Sequence, residues 1–198
     1  SDFWYLTGFA EQDACLVLLP GSDSAEDKTV LFLRERDPLM ETWNGRRMGI
    51  ERAPELLGVD EAHNITELWT ELPKVLSDWE RIVYRTGQNT DTDRKLLDVV
   101  ASLRQKARGG VEPPVELLDT APFIHELRLL KSPAEVDLMR RAAEISTEAH
   151  IECMRTTQPG MNECEVDALI EYTFRRRGST GAAYTNIVAG GANACILH

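Results

Sequence analysis

The chain has 198 residues, of which 42% are hydrophobic and 28% are charged, a composition typical of a globular protein rather than a disordered one. This length is enough for one large or two small domains with a buried core. The formal net charge of −11 at pH 7 opposes binding to phosphate backbones, so we expect no nucleic-acid partner.

The cysteines and the apolar runs indicate the compartment. No Cys-x-x-Cys pair occurs, which excludes a zinc ribbon and a thioredoxin-like site. The cysteines are widely spaced, which fits reduced thiols in the cytoplasm. No apolar run approaches the ~20 residues that a membrane-spanning helix needs, so we expect no membrane partner. The chain begins without Met in an aromatic-rich segment and stops after a strand-like run, which predicts a fragment cut at both ends.

The first half of the chain predicts strands that alternate with helices. Apolar runs at 14–19 and 29–33 flank a polar loop, which indicates a hairpin of buried strands. Apolar residues recur at helical spacing over 65–76, and a strand-like segment follows at 81–84. Another helix is predicted over 91–106. This alternation is typical of a mixed α/β layer.

The middle of the chain changes character. Glycine and proline cluster at 108–114, which indicates a linker, and Ala121-Pro122 indicates a second stop. Beyond these residues the pattern is strongly helical. We therefore predict two domains, the first over residues 1–127 and the second over residues 128–198.

Two helices are predicted in the second domain. Ser132-Pro133-Ala134-Glu135 combines a capping serine, a proline at the first helical position and a glutamate that reaches back, and this helix extends to about Thr156. Asn162 begins the next helix, and Gly178 is a natural C-terminal cap. The Gly190-Gly191-Ala192-Asn193 run then predicts a turn between two strands.

Common catalytic signatures are absent from the sequence. His125-Glu126 lacks the second histidine of a His-Glu-x-x-His zinc helix, and no nucleophile elbow, phosphate loop or dinucleotide fingerprint occurs. Asp91 and Asp93 are better explained as a helix cap and dipole complement than as a catalytic pair. His198 follows an apolar step and suits proton or oxyanion chemistry, although an ordinary half-buried histidine has the same pattern. The residues alone indicate an α/β protein that is enzymatic or binding.

Four segments, in order along the chain, resemble the bacterial Xaa-Pro aminopeptidases (aminopeptidase P) of peptidase family M24. They are Ser1–Phe9, Glu41–Arg47, His125–Glu135 and Tyr184–His198. The likeness covers essentially the whole chain. It implies an α/β protein with a creatinase-type N-terminal domain that has a mixed sheet, followed by the first part of a pita-bread (α+β) catalytic domain.

The resemblance also implies an activity and a cofactor. Members of the family hydrolyse the N-terminal Xaa-Pro bond of peptides with two divalent metals, usually manganese, which lower the pKa of the attacking water. Their metal ligands lie beyond the position that matches His198, so we expect this chain to hold no metal and to be inactive by itself. Proline-containing peptides are the expected partners, and the full-length protein is expected to form a homo-oligomer.

Four residues match positions of the family's site. His198 matches a histidine outside the metal shell that helps to stabilise the tetrahedral intermediate. Tyr184 matches a tyrosine on the substrate side, although it could equally be a core aromatic residue. Trp43 matches a tryptophan that reaches into a neighbouring subunit, although it could be a buried anchor. Arg108 lies where the family has a substrate-facing arginine, although a solvated arginine is the simpler interpretation.

Two other functions share this fold. Prolidase is restricted to dipeptides, and the aromatic first segment and the motif containing Trp43 favour aminopeptidase P over it. A pita-bread domain can also be a non-catalytic module that binds peptides or proteins.

Overall fold

The computed structural model describes residues 2–21 and 26–197. The chain divides into two compact units, Ser1–Leu127 and Arg128–His198. Over the described ranges, no helix combines the length and the apolar character that crossing a membrane would require.

The first unit contains short strands and helices in alternation. In chain order they are α1 (Asp2–Thr7), β1 (Cys15–Leu19), β2 (Lys28–Leu33), α2 (Pro38–Asn44), α3 (Ala53–Leu57), β3 (Glu61–Asn64), α4 (Leu68–Val75), β4 (Arg81–Val83), α5 (Thr90–Lys106), β5 (Glu116–Leu118) and α6 (Ala121–Leu129). The predicted alternation of strands and helices is therefore present, with several short elements that the sequence pattern did not predict.

The sheets combine both directions of pairing. β1 and β2 form the predicted hairpin, with Cys15 opposite Phe32 in antiparallel register. β3 was not predicted and pairs with β2 in parallel, with Val30 opposite Glu61, so the three-stranded sheet is mixed. β4 and β5 form a separate parallel pair.

β2 lies at the centre of the core. Its last four residues are all buried, and Val30 and Phe32 pack with residues of α4 and α5. Leu31 and Leu33 belong to a second apolar cluster. Because successive side chains of a strand point to opposite faces, β2 is covered on both sides. This explains why its sequence is a continuous apolar run and not an alternating one.

The two predicted helices of this unit begin differently from the expectation. The helix predicted over 65–76 begins as a 3-10 turn at 65–67 and continues as α4. At the start of α5, the side-chain carbonyl of Asn89 accepts the backbone N–H groups of Asp91 and Thr92, each at 3.0 Å. Asn89, and not the predicted Asp91 and Asp93, is therefore the cap.

The predicted stop at Ala121-Pro122 is wrong, because α6 begins there. Proline is tolerated in the first turn of a helix, where its missing N–H has no intrahelical acceptor. The carboxylate of Asp119 accepts the backbone N–H of Ala121 at 2.7 Å and supports this start.

The second unit contains the two predicted helices, α7 (Pro133–Thr156) and α8 (Glu163–Arg176). Both begin with a complete capping box, formed by Ser132 and Glu135 before α7 and by Asn162 and Glu165 before α8. Gly178 has φ of 91°, in the left-handed region that ends helices, which confirms its role after α8.

Contacts between α7 and α8 hold the second unit together. Ala149 of α7 and Thr173 of α8 are fully buried, and the Thr173 hydroxyl donates to the carbonyl of Leu169 at 2.8 Å. Glu148 of α7 forms ion pairs with Arg176 at 3.0 Å and with Arg177 at 2.8 Å. These cations stand at the C-terminal end of α8, where they also complement the helix dipole.

The two strands predicted on either side of the turn at Gly190–Asn193 are not present in the described residues. Residues 184–189 have no regular secondary structure, and Gly191–Cys195 form a 3-10 helix. The backbone bonds here are local, because Asn193 N–H donates to Gly190 O at 3.1 Å and Ile196 N–H donates to Asn193 O at 2.9 Å. The backbone N–H groups of Asn193 and Ile196 are therefore bonded within the segment and do not pair with a neighbouring strand.

Candidate functional site

The predicted site residues are distributed over both units. Trp43 and Arg108 belong to the first unit, and Tyr184 belongs to the second. His198 lies outside the residues that the structure describes.

Trp43 lies in the last turn of the short helix α2. The carboxylate of Asp37 accepts the N–H groups of Leu39 and Met40 at 3.1 Å and fixes the start of this helix. Gly45, with φ of 85°, allows the chain to leave it. The indole of Trp43 is 79% exposed, so it is not a buried anchor of this unit and its faces are open to a ring or an apolar group.

A buried carboxylate fixes the segment around Trp43. The side chain of Glu41 is only 8% exposed and accepts two bonds from the Arg36 guanidinium, at 3.1 Å from Nε and 2.9 Å from Nη2. This pairing, with a further bond from the backbone N–H of Arg47, lowers the pKa of Glu41. Arg47 in turn donates from Nη1 to the carbonyl of Glu35 at 3.2 Å. The helix that carries Trp43 is therefore tied to the chain before and after it.

Replacing Glu41 by glutamine is expected to accelerate amide hydrogen exchange over residues 38–47 several-fold, because glutamine keeps the shape but loses the charge that Arg36 pairs with. Exchange measured by mass spectrometry tests this. Glu55→Gln is the matched control, since Glu55 is an exposed glutamate of the neighbouring helix α3. Equal exchange in both variants would show that the Arg36–Glu41 pair does not hold the segment.

Arg108 lies in a one-turn 3-10 helix, Ala107–Gly109, that follows α5. Its side chain is exposed, and Gly110, with φ of 92°, turns the chain immediately after it. Exposure fits both interpretations of this residue, a solvated arginine and one that meets a substrate.

Tyr184 lies between two open grooves of the second unit. One, of about 450 Å³, is lined by Asp167, Glu171 and Arg175 of α8 together with residues 180–186. The other, of about 790 Å³, is lined by residues 184–189, Glu163, Asn193 and Ile196. Tyr184 is 77% exposed and is therefore not a core aromatic residue of the described structure. It is a lining residue of both grooves.

Two carboxylates of α8 form hydrogen bonds to the stretch of chain that begins at Tyr184. We call residues 184–193 the tethered segment. Asp167 accepts the side-chain N–H of Asn186 at 2.8 Å. Glu163 accepts the backbone N–H of Gly190 at 2.7 Å and the side-chain N–H of Asn193 at 3.0 Å. The bond from Gly190, followed by that from Asn193, lowers the pKa of Glu163.

These tethers were not predicted from the sequence. Glu163 had the pattern of an ordinary residue at a helix start, where a negative charge complements the dipole. Its partners are 27 and 30 residues away, a separation that no local pattern reports. The spacing of Glu163 and Asp167, one helical turn apart on the same face, was the available signal.

The described residues contain no cluster of metal-binding side chains. Within residues 2–21 and 26–197, no three histidine, cysteine, aspartate or glutamate side chains are grouped so that they could hold a metal ion. In the groove beside Tyr184, Glu171 is paired with Arg175 at 3.2 Å. The described residues therefore do not fit a metal centre of their own.

Family models match two separate stretches of the chain. Residues 1–84 match the aminopeptidase P N-terminal domain, and residues 137–198 match metallopeptidase family M24. The Xaa-Pro aminopeptidase of Haemophilus influenzae is 42% identical over 198 residues, which are 100% of this chain and 43% of that protein.

Solved structures show the same relationship. Aminopeptidase P from Escherichia coli, in its low-pH form, is 39% identical with a TM-score of 0.94, over 100% of this chain and 44% of that one. Aminopeptidase PepP of Pseudomonas aeruginosa is 45% identical with a TM-score of 0.93, over 100% of this chain and 44% of that one. The chain thus spans less than half the length of these relatives. The predicted fold class, a mixed-sheet α/β domain followed by the start of a pita-bread domain, is confirmed.

Proposed function

We propose that the whole protein is a metal-dependent aminopeptidase that hydrolyses the N-terminal Xaa-Pro bond of peptides. Residues 1–84 match the aminopeptidase P N-terminal domain and residues 137–198 match metallopeptidase family M24, which supports this proposal. The observation that supports this is the continuous similarity to Xaa-Pro aminopeptidases over 100% of the chain, at 42% identity in one relative. Because the chain covers 43% of that relative, the proposal concerns the whole protein.

The substrate-facing residues in this proposal are the four predicted ones. Tyr184 orients the peptide through its hydroxyl, and the exposed ring of Trp43 stacks on an apolar ring such as proline, in a neighbouring subunit of a homo-oligomer. Arg108 meets the polar end of the substrate. His198 donates to the oxygen that becomes negative in the tetrahedral intermediate.

In our proposal the whole protein binds two divalent metals, manganese, through side chains that are not among the described residues of this chain. We propose an N-terminal domain over 1–127, which carries Trp43 and Arg108, and the start of a catalytic domain over 128–198, which carries Tyr184 and His198. We also propose that the protein is cytoplasmic and that its partners are peptides and not nucleic acids.

The decisive experiment incubates the whole protein with manganese and an X-Pro-Y tripeptide, and compares it with the X-Pro dipeptide. Release of the first residue from the tripeptide but not from the dipeptide is expected. Cleavage of the dipeptide alone would indicate a prolidase, and cleavage of neither would indicate a binding module. The 198-residue chain is the control, for which we expect no turnover and no stoichiometric manganese binding by calorimetry.

A further inference from the structure

The tethered segment is held mainly by polar bonds to α8. Ile187 is 57% exposed and Ile196, just after the segment, is 61% exposed, while Val188 is half-buried, so none of these apolar side chains belongs to a buried core. The hydrogen bonds to Glu163 and Asp167 are by contrast short and charge-assisted. These two carboxylates are therefore the main attachments seen for the segment.

The attachment points lie on both sides of Gly191. Asn186 is bound by Asp167 two residues after Tyr184, while Gly190 and Asn193 are bound by Glu163. Gly191, between the last two, has φ of 56°, a conformation that glycine adopts without strain. Without the tethers the glycine pair would leave this stretch free to move.

We propose that Glu163 and Asp167 act as a clamp that positions Tyr184 for the substrate, so that both are positioning residues of the reaction proposed above, on which this inference rests. Asp167 lines one groove and Glu163 lines the other, and in this proposal their effect on the reaction comes from the hydrogen bonds that they accept from the segment. They act through the segment, and Tyr184 is carried at its first position, where it lines both grooves. A hydroxyl misplaced by about 1 Å can lower turnover by about 10²-fold.

The test uses Glu163→Ala in the whole protein and two measurements. Amide exchange over residues 184–193 is expected to accelerate about tenfold or more, because Gly190 N–H loses its acceptor. In the assay with the X-Pro-Y peptide, kcat is expected to fall by about 10- to 100-fold, with a smaller change in KM. The split between kcat and KM is a change that a purely structural role for Glu163 would not produce.

Glu165→Ala is the matched control. Glu165 lies in the same first turn of α8 and accepts the backbone N–H of Asn162 at 2.7 Å, so its replacement by alanine weakens the helix start without removing a bond to the segment. It is expected to lower the melting temperature while leaving exchange over 184–193 and kcat unchanged. If Glu165→Ala changes kcat as much as Glu163→Ala does, the effect belongs to α8 in general and the clamp is disproved.

A conservative variant completes the test. Gly190 N–H and the side-chain N–H of Asn193 both donate to the same atom, Glu163 Oε1, so the side-chain oxygen of glutamine can accept both bonds. Glu163→Gln is therefore expected to keep most of the exchange protection and of kcat that Glu163→Ala loses. In Glu163→Ala, faster exchange with unchanged kcat, or unchanged exchange, would overturn the inference. A wild-type protein that cleaves no X-Pro peptide would instead overturn the proposed function, and is distinguished by that assay alone.

Discussion

Replacing His198 by alanine in the whole protein is expected to lower kcat by about 10²- to 10³-fold while leaving the bound metal content unchanged. This is the loss found when one donor to a developing oxyanion is removed, about 3–4 kcal/mol of transition-state stabilisation. The expectation follows from the proposed position of His198 beside the reacting carbonyl and outside the metal shell. Steady-state kinetics on an X-Pro-Y peptide, with elemental analysis of the purified variant, measures both quantities.

His150→Ala is the matched control for this substitution. His150 is an exposed residue of α7 whose Nδ1 lies 2.8 Å from the carbonyl of Ser146, within its own helix. We expect its replacement to leave kcat within about twofold, because exposed helix positions contribute little to stability or geometry. A His198→Ala protein that loses metal along with activity would make His198 a ligand or a support of the metal centre. One that keeps full kcat would remove it from the reaction.

The sequence predicted best the features that depend on neighbouring residues. The capping box at Ser132 and Glu135 is present with both of its hydrogen bonds, because its donors and acceptors are three residues apart. The hairpin of β1 and β2 was predicted from two apolar runs and the short loop between them. In each case the partners that stabilise the element are close along the chain.

The elements that the sequence did not predict depend on distant partners. β3 has only four residues, and His63 and Asn64 in it are polar, so it is a strand because Phe32 and Leu33 of β2 pair with it. β5 is likewise stabilised by pairing with β4, 35 residues earlier at Arg81 and Glu116. Pairing of this kind outweighs local propensity and leaves no periodic pattern to detect.

The candidate site also combines features that the sequence predicted with features that it did not. Tyr184 and Trp43 were recognisable from the sequence, but their exposure of 77% and 79% is seen only in the structure. Conversely, the turn predicted at Gly190 has no strands on either side of it in the described structure, and its Gly190 N–H donates to Glu163 in a different element. A bond between a loop and a helix 27 residues away along the chain can be seen only in three dimensions.

The core of the first unit offers the largest stability effect in the described structure. Leu103 of α5 is 1% exposed in the cluster that includes Val30 and Phe32 of β2. Leu103→Ala removes three buried carbon atoms and leaves a cavity under the sheet, so the free energy of unfolding is expected to fall by about 2–5 kcal/mol. That is a large fraction of the ~5–15 kcal/mol by which a typical domain is stable.

Urea unfolding of the 198-residue chain, followed by tryptophan fluorescence, measures this effect. All four tryptophans of this sequence precede residue 128, so their fluorescence reports on the first unit. Leu97→Ala is the matched control, since Leu97 lies on the same helix but is 56% exposed, and its change should stay within about 0.5 kcal/mol. The comparison separates burial from helix propensity, because both variants make the same substitution in the interior of α5. Equal destabilisation by the two variants would mean that α5 is not anchored in the core through Leu103.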